Sequence, residues 1–309
     1  MNSRQKVRNI FNLRNSGPVA TWLGNPHPDT LDIYTKALGI ENQDQLHDYF
    51  DDDCRWICAE WNTYKHPQNK PLWDCYNGQK KTSLGQPGFF GNCTNIKDLE
   101  TFNWPDVKYL DFSDCLTKIQ AASDKAVLSG MWSCFFHIMC DLFGMENYFI
   151  KMHTHPMIIE AVTERVVDFY LEANELFFEQ AGDSFDTFFM GNDFGSQLDL
   201  LISLDMFKKF ILPGFKKLIN QAKKYNKIVL LHSCGAIDKA IPLMIDAGID
   251  AIHPLQAKAA QMDASSLAKK YKNKIAFVGG VDTQDLLVNA TAAEVKDHVQ
   301  KLINILGPN

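Results

Sequence analysis

The sequence predicts an α/β fold of parallel strands and helical crossovers, a (β/α)8 TIM-type barrel with its last strand apparently missing from this chain. Three observations predict it. Short apolar, β-branched or aromatic runs alternate with long amphipathic stretches along all 309 residues, the pattern of strands that return through helices. Several of the runs are apolar at every position, as strands covered on both faces must be. The composition is 46% hydrophobic with no linker, repeat or low-complexity segment, so residues 1–309 read as one barrel domain with one large core.

The strand candidates, in order, are residues 19–23, 55–59, 126–129, 187–190, 228–231, 251–252 and 275–278. They fall one short of a closed eight-stranded barrel. An eighth strand is due where the chain reads Gly307-Pro308-Asn309, straight after a helix, so the chain is expected to be truncated there. The helices are clear from their period. Residues 157–181 keep Ile159, Val162, Val166, Phe169 and Phe177 near one face, and 204–225 and 291–306 behave alike. Residues 205–224 open on Asp205 and close on Lys223 and Lys224, in the sense the helix dipole favours. Residues 63–95 are rich in Gly, Pro, Asn and Gln and read as a long excursion over the barrel mouth.

Composition excludes several functions. A net charge of −6 argues against nucleic acid or an anionic membrane as partner. Residues 1–14 are polar and basic without an apolar segment, so no secretory signal is expected. The longest apolar candidate, 133–150, is interrupted by His137, Asp141, Glu146 and Asn147, which rules it out as a membrane span. Eight irregularly spaced cysteines form no CxxC pair. Free thiols in a cytoplasmic protein acting on a small molecule are the expectation.

The chemistry is expected where the strands end, because barrel active sites lie at the C-terminal ends of the strands. Four candidate ends carry glycine with polar residues: Leu23-Gly24-Asn25, Gly191-Asn192-Asp193, His232-Ser233-Cys234-Gly235 and Gly279-Gly280-Val281-Asp282. Within an extended segment His232 and Cys234 point the same way, and imidazole with thiolate is a zinc donor set. The same spacing also suits a buried cysteine beside a hydrogen-bonded histidine. Asp193 is the candidate third ligand, or an acid/base group. Asp282 reads either as a second functional carboxylate or as a helix cap ahead of Gln284 and Leu286. Trp22, Asn25, Gln197 and Gln256 are candidate substrate contacts, with Trp22, His27, Trp61 and Phe90 available to wall an apolar pocket. Cys134, His137, Cys140 and Asp141 have a metal-like spacing on a helix, but their segment is so apolar that helix core is the better reading.

Five stretches together resemble the uroporphyrinogen decarboxylase superfamily. They are Gly191-Asn192-Asp193-Phe194-Gly195-Ser196-Gln197, the segment from Ser203-Leu204 to Phe210-Ile211-Leu212-Pro213, Leu231-His232-Ser233-Cys234-Gly235, His253-Pro254-Leu255-Gln256 and Phe277-Val278-Gly279-Gly280-Val281-Asp282. The resemblance runs through nearly the whole chain and implies a (β/α)8 barrel. It also implies one of two chemistries. The decarboxylases bind a polycarboxylate tetrapyrrole and carry an arginine-rich loop after the first strand. Here that place reads Trp22-Leu23-Gly24-Asn25-Pro26-His27-Pro28, and the chain has only Arg4, Arg8, Arg14, Arg55 and Arg165, few guanidinium forks for so many carboxylates. The other branch moves methyl groups between a corrinoid, carried by a partner protein, and a thiol or related acceptor. Its zinc-thiol members use a His-x-Cys pair, matched by His232 and Cys234, plus a distant cysteine that this chain does not reach. The expectation is therefore a methyltransferase of the methylcobamide:thiol (coenzyme M-type) branch, with a decarboxylase and a non-catalytic accessory barrel as alternatives.

Overall fold

The computed structural model describes residues 1–14 and 17–307. Of the expected truncation point, Pro308 and Asn309 lie outside the described residues. In chain order the elements are α1 (Ser3–Phe11), α2 (Pro28–Leu38), α3 (Gln43–Tyr49), β1 (Cys54–Cys58), α4 (Ser113–Ala121), β2 (Ala126–Gly130), α5 (Phe135–Phe143), α6 (Met145–Thr154), α7 (Pro156–Ala181) and β3 (Thr187–Gly191). There follow α8 (Leu204–Met206), α9 (Leu212–Lys224), β4 (Ile228–His232), α10 (Ile241–Ala247), β5 (Ala251–Leu255), α11 (Ala264–Tyr271), β6 (Ala276–Gly279), α12 (Leu286–Asn289) and α13 (Ala292–Leu306).

The six strands pair in parallel in the order β1-β2-β3-β4-β5-β6, with Cys54 opposite Ala126, Thr187 opposite Ile228 and Ala251 opposite Ala276. Their alternation sorts the side chains into two cores. Cys54, Leu128, Phe189, Leu230, Ala251 and Ala276, one from each strand, gather with Trp22, Trp56 and Trp132 in a single cluster. The six strands therefore curl around a common interior, as a half-barrel. The alternate residues, among them Val127, Phe188, Met190, Val229, Leu231 and Ile252, pack outward against the helices. Inward positions at the strand starts are mostly small (Cys54, Ala126, Ala251, Ala276) and those two residues on are bulkier (Trp56, Leu128, Val278), in keeping with the layered filling of a barrel.

α1 closes the N-terminal end of this interior. Val7 and Phe11 enter the inner cluster, while Lys6 pairs with Asp53 at 2.8 Å and Arg4 and Arg8 pair with Asp186 at 2.8 and 2.7 Å. Asp53 and Asp186 immediately precede β1 and β3. The opposite, C-terminal strand ends are left for chemistry.

Two expectations about elements are corrected. Residues 19–23 do not form the first strand. They join β1 through one backbone bond, Asp53 N–H to Thr21 O at 2.9 Å, and through carboxylates: Asp53 accepts from the Thr21 amide at 2.9 Å and Asp52 from the Leu23 amide at 2.8 Å. Side chains have replaced the ladder, so the local apolar pattern is there without the pairing. The helix expected over 204–225 is interrupted by a π-helical turn, Phe207–Ile211, before α9. Pro213 lacks an N–H and crowds the carbonyl four residues earlier, and the widened turn absorbs both effects.

Within the described residues β1 and β6 are the two edges of the sheet. Both face one apolar cavity of about 610 Å3, lined by Cys54, Trp22, Ala276, Val278 and Ile303 among others. No described helix is long and apolar enough to cross a membrane. All eight cysteines are free thiols.

Candidate metal centre at the strand ends

β4 ends at His232, whose position in the strand aims it inward and upward. Cys234 follows two residues later, and Asp193 lies two residues past the neighbouring β3. One donor atom from each of these three comes within 4.8 Å of the other two. His232 Nε2 is 3.5 Å from Cys234 Sγ and 3.3 Å from Asp193 Oδ1. These separations can be tested against a metal. Tetrahedral zinc, with bonds of about 2.3 Å to sulfur and about 2.0 Å to nitrogen and oxygen, sets N···S near 3.5 Å and N···O near 3.3 Å. The donor set and both separations from His232 fit that ion, and three protein ligands would leave one coordination position open.

The loops that carry the donors are locked to each other. The Cys234 amide donates to Asp193 Oδ1 at 2.8 Å. Gly195 N–H donates to Cys234 O at 3.2 Å, and Ala236 N–H to Ser196 O at 2.7 Å. Asn192 is fully buried. It accepts from the Phe136 amide at 2.9 Å and donates to Ser133 O at 3.1 Å, which ties the end of β3 to the start of α5. Gly191 is needed for close approach, because a Cβ there would lie 1.8 Å from the Trp132 ring.

The three groups have sharply different acidities. Burial alone would raise Asp193. The hydrogen bonds from His232 and the Cys234 amide, with the charges of His232 and His137, outweigh it and hold the carboxyl at about 2. Burial, then the Asp193 charge, pushes the Cys234 thiol up to about 12. An ion entering the site must therefore displace the thiol proton.

Sequence reasoning assigned neither of two histidines to this site. His253, on β5, places its Nδ1 2.9 Å from His232 Nδ1. Burial, then the His232 charge, lowers His253 to about 3, which keeps it neutral. The period of β5 aims it at the interior beside His232, a signal that was readable once the strand was paired. His137 on α5 accepts from the Asp193 amide at 3.2 Å. The apolar helix around it favoured a core reading, which holds for Cys140 but not for His137, whose side chain is 38% exposed at the site.

The other expected site residues divide. Gln256 is adjacent: its Oε1 accepts from the Gly235 amide. Trp22 packs on His253 with ring centroids 5.3 Å apart, and its indole N–H is buried without a partner among the described residues. Asn25 is exposed and accepts from Gln43 Nε2 at 2.9 Å, with no described contact to the three donors. Gln197 is exposed in the loop after β3. Asp282 is 7% exposed and accepts from the Gln284 and Asp285 amides at 2.9 and 3.3 Å, with Lys258 at 3.3 Å. These bonds occupy its carboxylate in capping the turn.

A family model described as uroporphyrinogen decarboxylase (URO-D) matches residues 82–309. A methylated-thiol–coenzyme M methyltransferase of Methanosarcina mazei is 25% identical over 171 residues, 54% of this chain and 42% of that protein. A methylcobamide:CoM methyltransferase, MtbA, of Methanosarcina acetivorans is 25% identical over 105 residues, 34% of this chain and 30% of that protein. The matched segments thus span less than half the length of these curated relatives. A solved methyltransferase from Methanosarcina mazei superposes with a TM-score of 0.65 over 98% of this chain and 90% of that one, at 15% identity. That likeness speaks for the fold alone.

Proposed function

The chain belongs to the uroporphyrinogen decarboxylase family, and on that premise we propose that it is a corrinoid-linked methyltransferase, moving a methyl group to or from a thiol or related small acceptor. The observation that carries the reading is the meeting of Asp193, His232 and Cys234 at separations suited to tetrahedral zinc. A zinc ion held there would supply the positive charge that favours loss of a thiol proton near neutral pH. The chain's own groups do the rest. His253 fixes the orientation of the His232 ring, the Cys234 amide fixes the Asp193 carboxylate, and Trp22 and Trp132 pack against the two imidazoles and keep water from that side. Asp193 and His232 would orient an acceptor, with Gln256 beside them on the Gly235 amide and Trp22 behind His253.

The similarity to two methyltransferases that act on coenzyme M supports this choice of branch. A methylcorrinoid delivered by a partner protein is part of the proposal, as are the cytoplasmic setting and a closed (β/α)8 barrel. For the barrel, the support is that both free sheet edges face one apolar cavity. A decarboxylase of a polycarboxylate draws no such support. Arg4 and Arg8 are bound to Asp186 at the far end of the strands, Arg55 to Asp48 and Arg165 to Glu100.

The test is direct. The purified chain should bind one zinc ion, and Cys234→Ala should lose it. With zinc, methylcobalamin and a panel of small thiols, the chain should form a thioether, followed by the corrinoid absorbance change. Zinc binding unaffected by Cys234→Ala, or zinc-loaded protein inert toward every thiol, would remove this reading.

A further inference from the structure

A second constellation lies farther along α5, where Ile138 and Asp141 follow the His137 that meets Asp193. The segment after β1 and one face of α5 enclose an open cavity of about 570 Å3, with Glu60, Trp61, Trp73, Tyr76, Ile138 and Asp141 in its walls. Glu60 follows β1 by two residues. Its Oε1 accepts from the Tyr170 hydroxyl at 3.2 Å and its Oε2 from the Ser133 amide at 3.4 Å. Neither partner is a cation, and no ion pair among the described residues includes Glu60. Trp73 is pinned beside it, its indole N–H donating to the same Tyr170 hydroxyl at 3.3 Å. Across the cavity, Asp141 accepts from the Tyr76 hydroxyl at 3.0 Å and from Lys81 at 2.5 Å. The walls thus present two carboxyl groups and three aromatic rings, with one lysine already bound to Asp141.

That lining is selective by its physics. An anion would meet Glu60 and Asp141. A neutral apolar solute would leave the Glu60 carboxyl desolvated and uncompensated, which is costly. A compact cation with an apolar surface offsets the carboxylate and lies against the negative faces of the rings. The geometry points to a binding site for a compact alkylammonium ion in this cavity, its charge set against Glu60 and its alkyl groups against Trp61, Trp73 and Tyr76. Nothing in this inference rests on zinc or on methyl transfer.

The site has its own pH signature. Burial pushes Glu60 up to about 7. The titratable groups packed on it are Cys58 from its own strand, Cys134 ahead of α5 and Tyr170 from α7, with Tyr76 and the Asp141–Lys81 pair across the cavity. Burial drives Cys58, Cys134, Tyr170 and Tyr76 upward, so they stay protonated around neutrality. Glu60 is then the group that changes charge near pH 7. A cation that binds only its ionised form should bind about tenfold more weakly at pH 6 than at pH 8.

The experiment is calorimetric titration of the full chain with tetramethylammonium chloride at fixed ionic strength, against tert-butanol, a neutral solute of nearly the same shape. The expected result is saturable binding of tetramethylammonium alone, weakened about tenfold between pH 8 and pH 6. Glu60→Gln should weaken it at least tenfold at pH 8 and abolish the pH dependence. Trp61→Leu, at a residue that is 52% exposed and so safe for folding, should weaken it as well. Equal binding of tert-butanol, no saturable binding, or binding indifferent to Trp61→Leu and to pH would overturn the assignment. The titration reads neither zinc nor thioether, so it fails or succeeds separately from the methyltransferase proposal.

Discussion

Gly195 and Gly235 touch backbone to backbone where the loops after β3 and β4 cross: a Cβ on Gly235 would lie 2.3 Å from the Gly195 carbonyl carbon. Gly235 also has φ +89°, a conformation that side chains strain. The crossing is what brings Asp193 to the Cys234 amide. Gly235→Ala must push the loops apart, so it should cost about 2 kcal/mol of stability and weaken zinc binding at least tenfold. Urea unfolding and a competitive zinc titration check the two effects, and a variant with unchanged zinc affinity would show that the crossing does not set the donor geometry.

Zinc binding should release a proton. The Cys234 thiol, at about 12, is protonated throughout the physiological range, while the coordinating form is the thiolate. Apparent affinity should therefore rise about tenfold per pH unit around neutrality. Titration of zinc in buffers of different ionisation heat measures the proton count directly. Cys234→Ala should remove that proton along with most of the affinity, and a pH-independent affinity would place the metal elsewhere.

His253 is a positioning residue for His232. The two Nδ1 atoms are 2.9 Å apart, so one carries the shared hydrogen. For His232 to offer a lone pair at Nε2, its Nδ1 must donate and the neutral His253 must accept. His253→Phe keeps the ring packing against Trp22 and Phe189 but removes the acceptor. Zinc affinity should fall about 10- to 100-fold with little change in unfolding midpoint. His253→Gln, which restores an acceptor, should recover part of the loss. Equal affinities for both variants would mean the contact does not orient His232.

How much of this was legible in the sequence depends on the range of the interaction. All six strands were readable as short apolar runs, most clearly β2 and β3, which are buried at every position, and His232 with Cys234 because i, i+2 spacing is local. Asp193 was readable as a polar strand end. Residues 19–23 have the same apolar pattern as a strand, yet Asp52 and Asp53 bind their amides, and sequence does not reveal which partner an amide takes. His137 and His253 enter the site through tertiary pairing, so an apolar helix and a strand concealed them. Glycine at the strand ends was visible in the sequence, but not what it makes room for: at Gly191, Gly195 and Gly235 it admits the protein's own Trp132 and backbone.

Asp53 joins three segments at the N-terminal end of the interior and makes an acid-sensitive clasp. Its carboxylate binds Lys6 at 2.8 Å, the Ser3 hydroxyl at 2.7 Å and the Thr21 amide at 2.9 Å. Burial opposes ionisation, but the bonds from Lys6, Thr21 and Ser3 prevail and hold its pKa below the ordinary carboxyl value. A carboxyl lowered in the folded state stabilises it above the unfolded value, and that contribution is lost as pH falls through the carboxylate range toward the folded value. Asp53→Asn leaves Lys6 without its partner and should cost about 3 kcal/mol at neutral pH. It should also flatten the acid limb of the stability curve between pH 5 and pH 3. Hydrogen exchange should show α1 and residues 19–23 opening together, since both are bound to this one side chain. If α1 loosened while 19–23 stayed protected, the Asp53 carboxylate would not be what couples them.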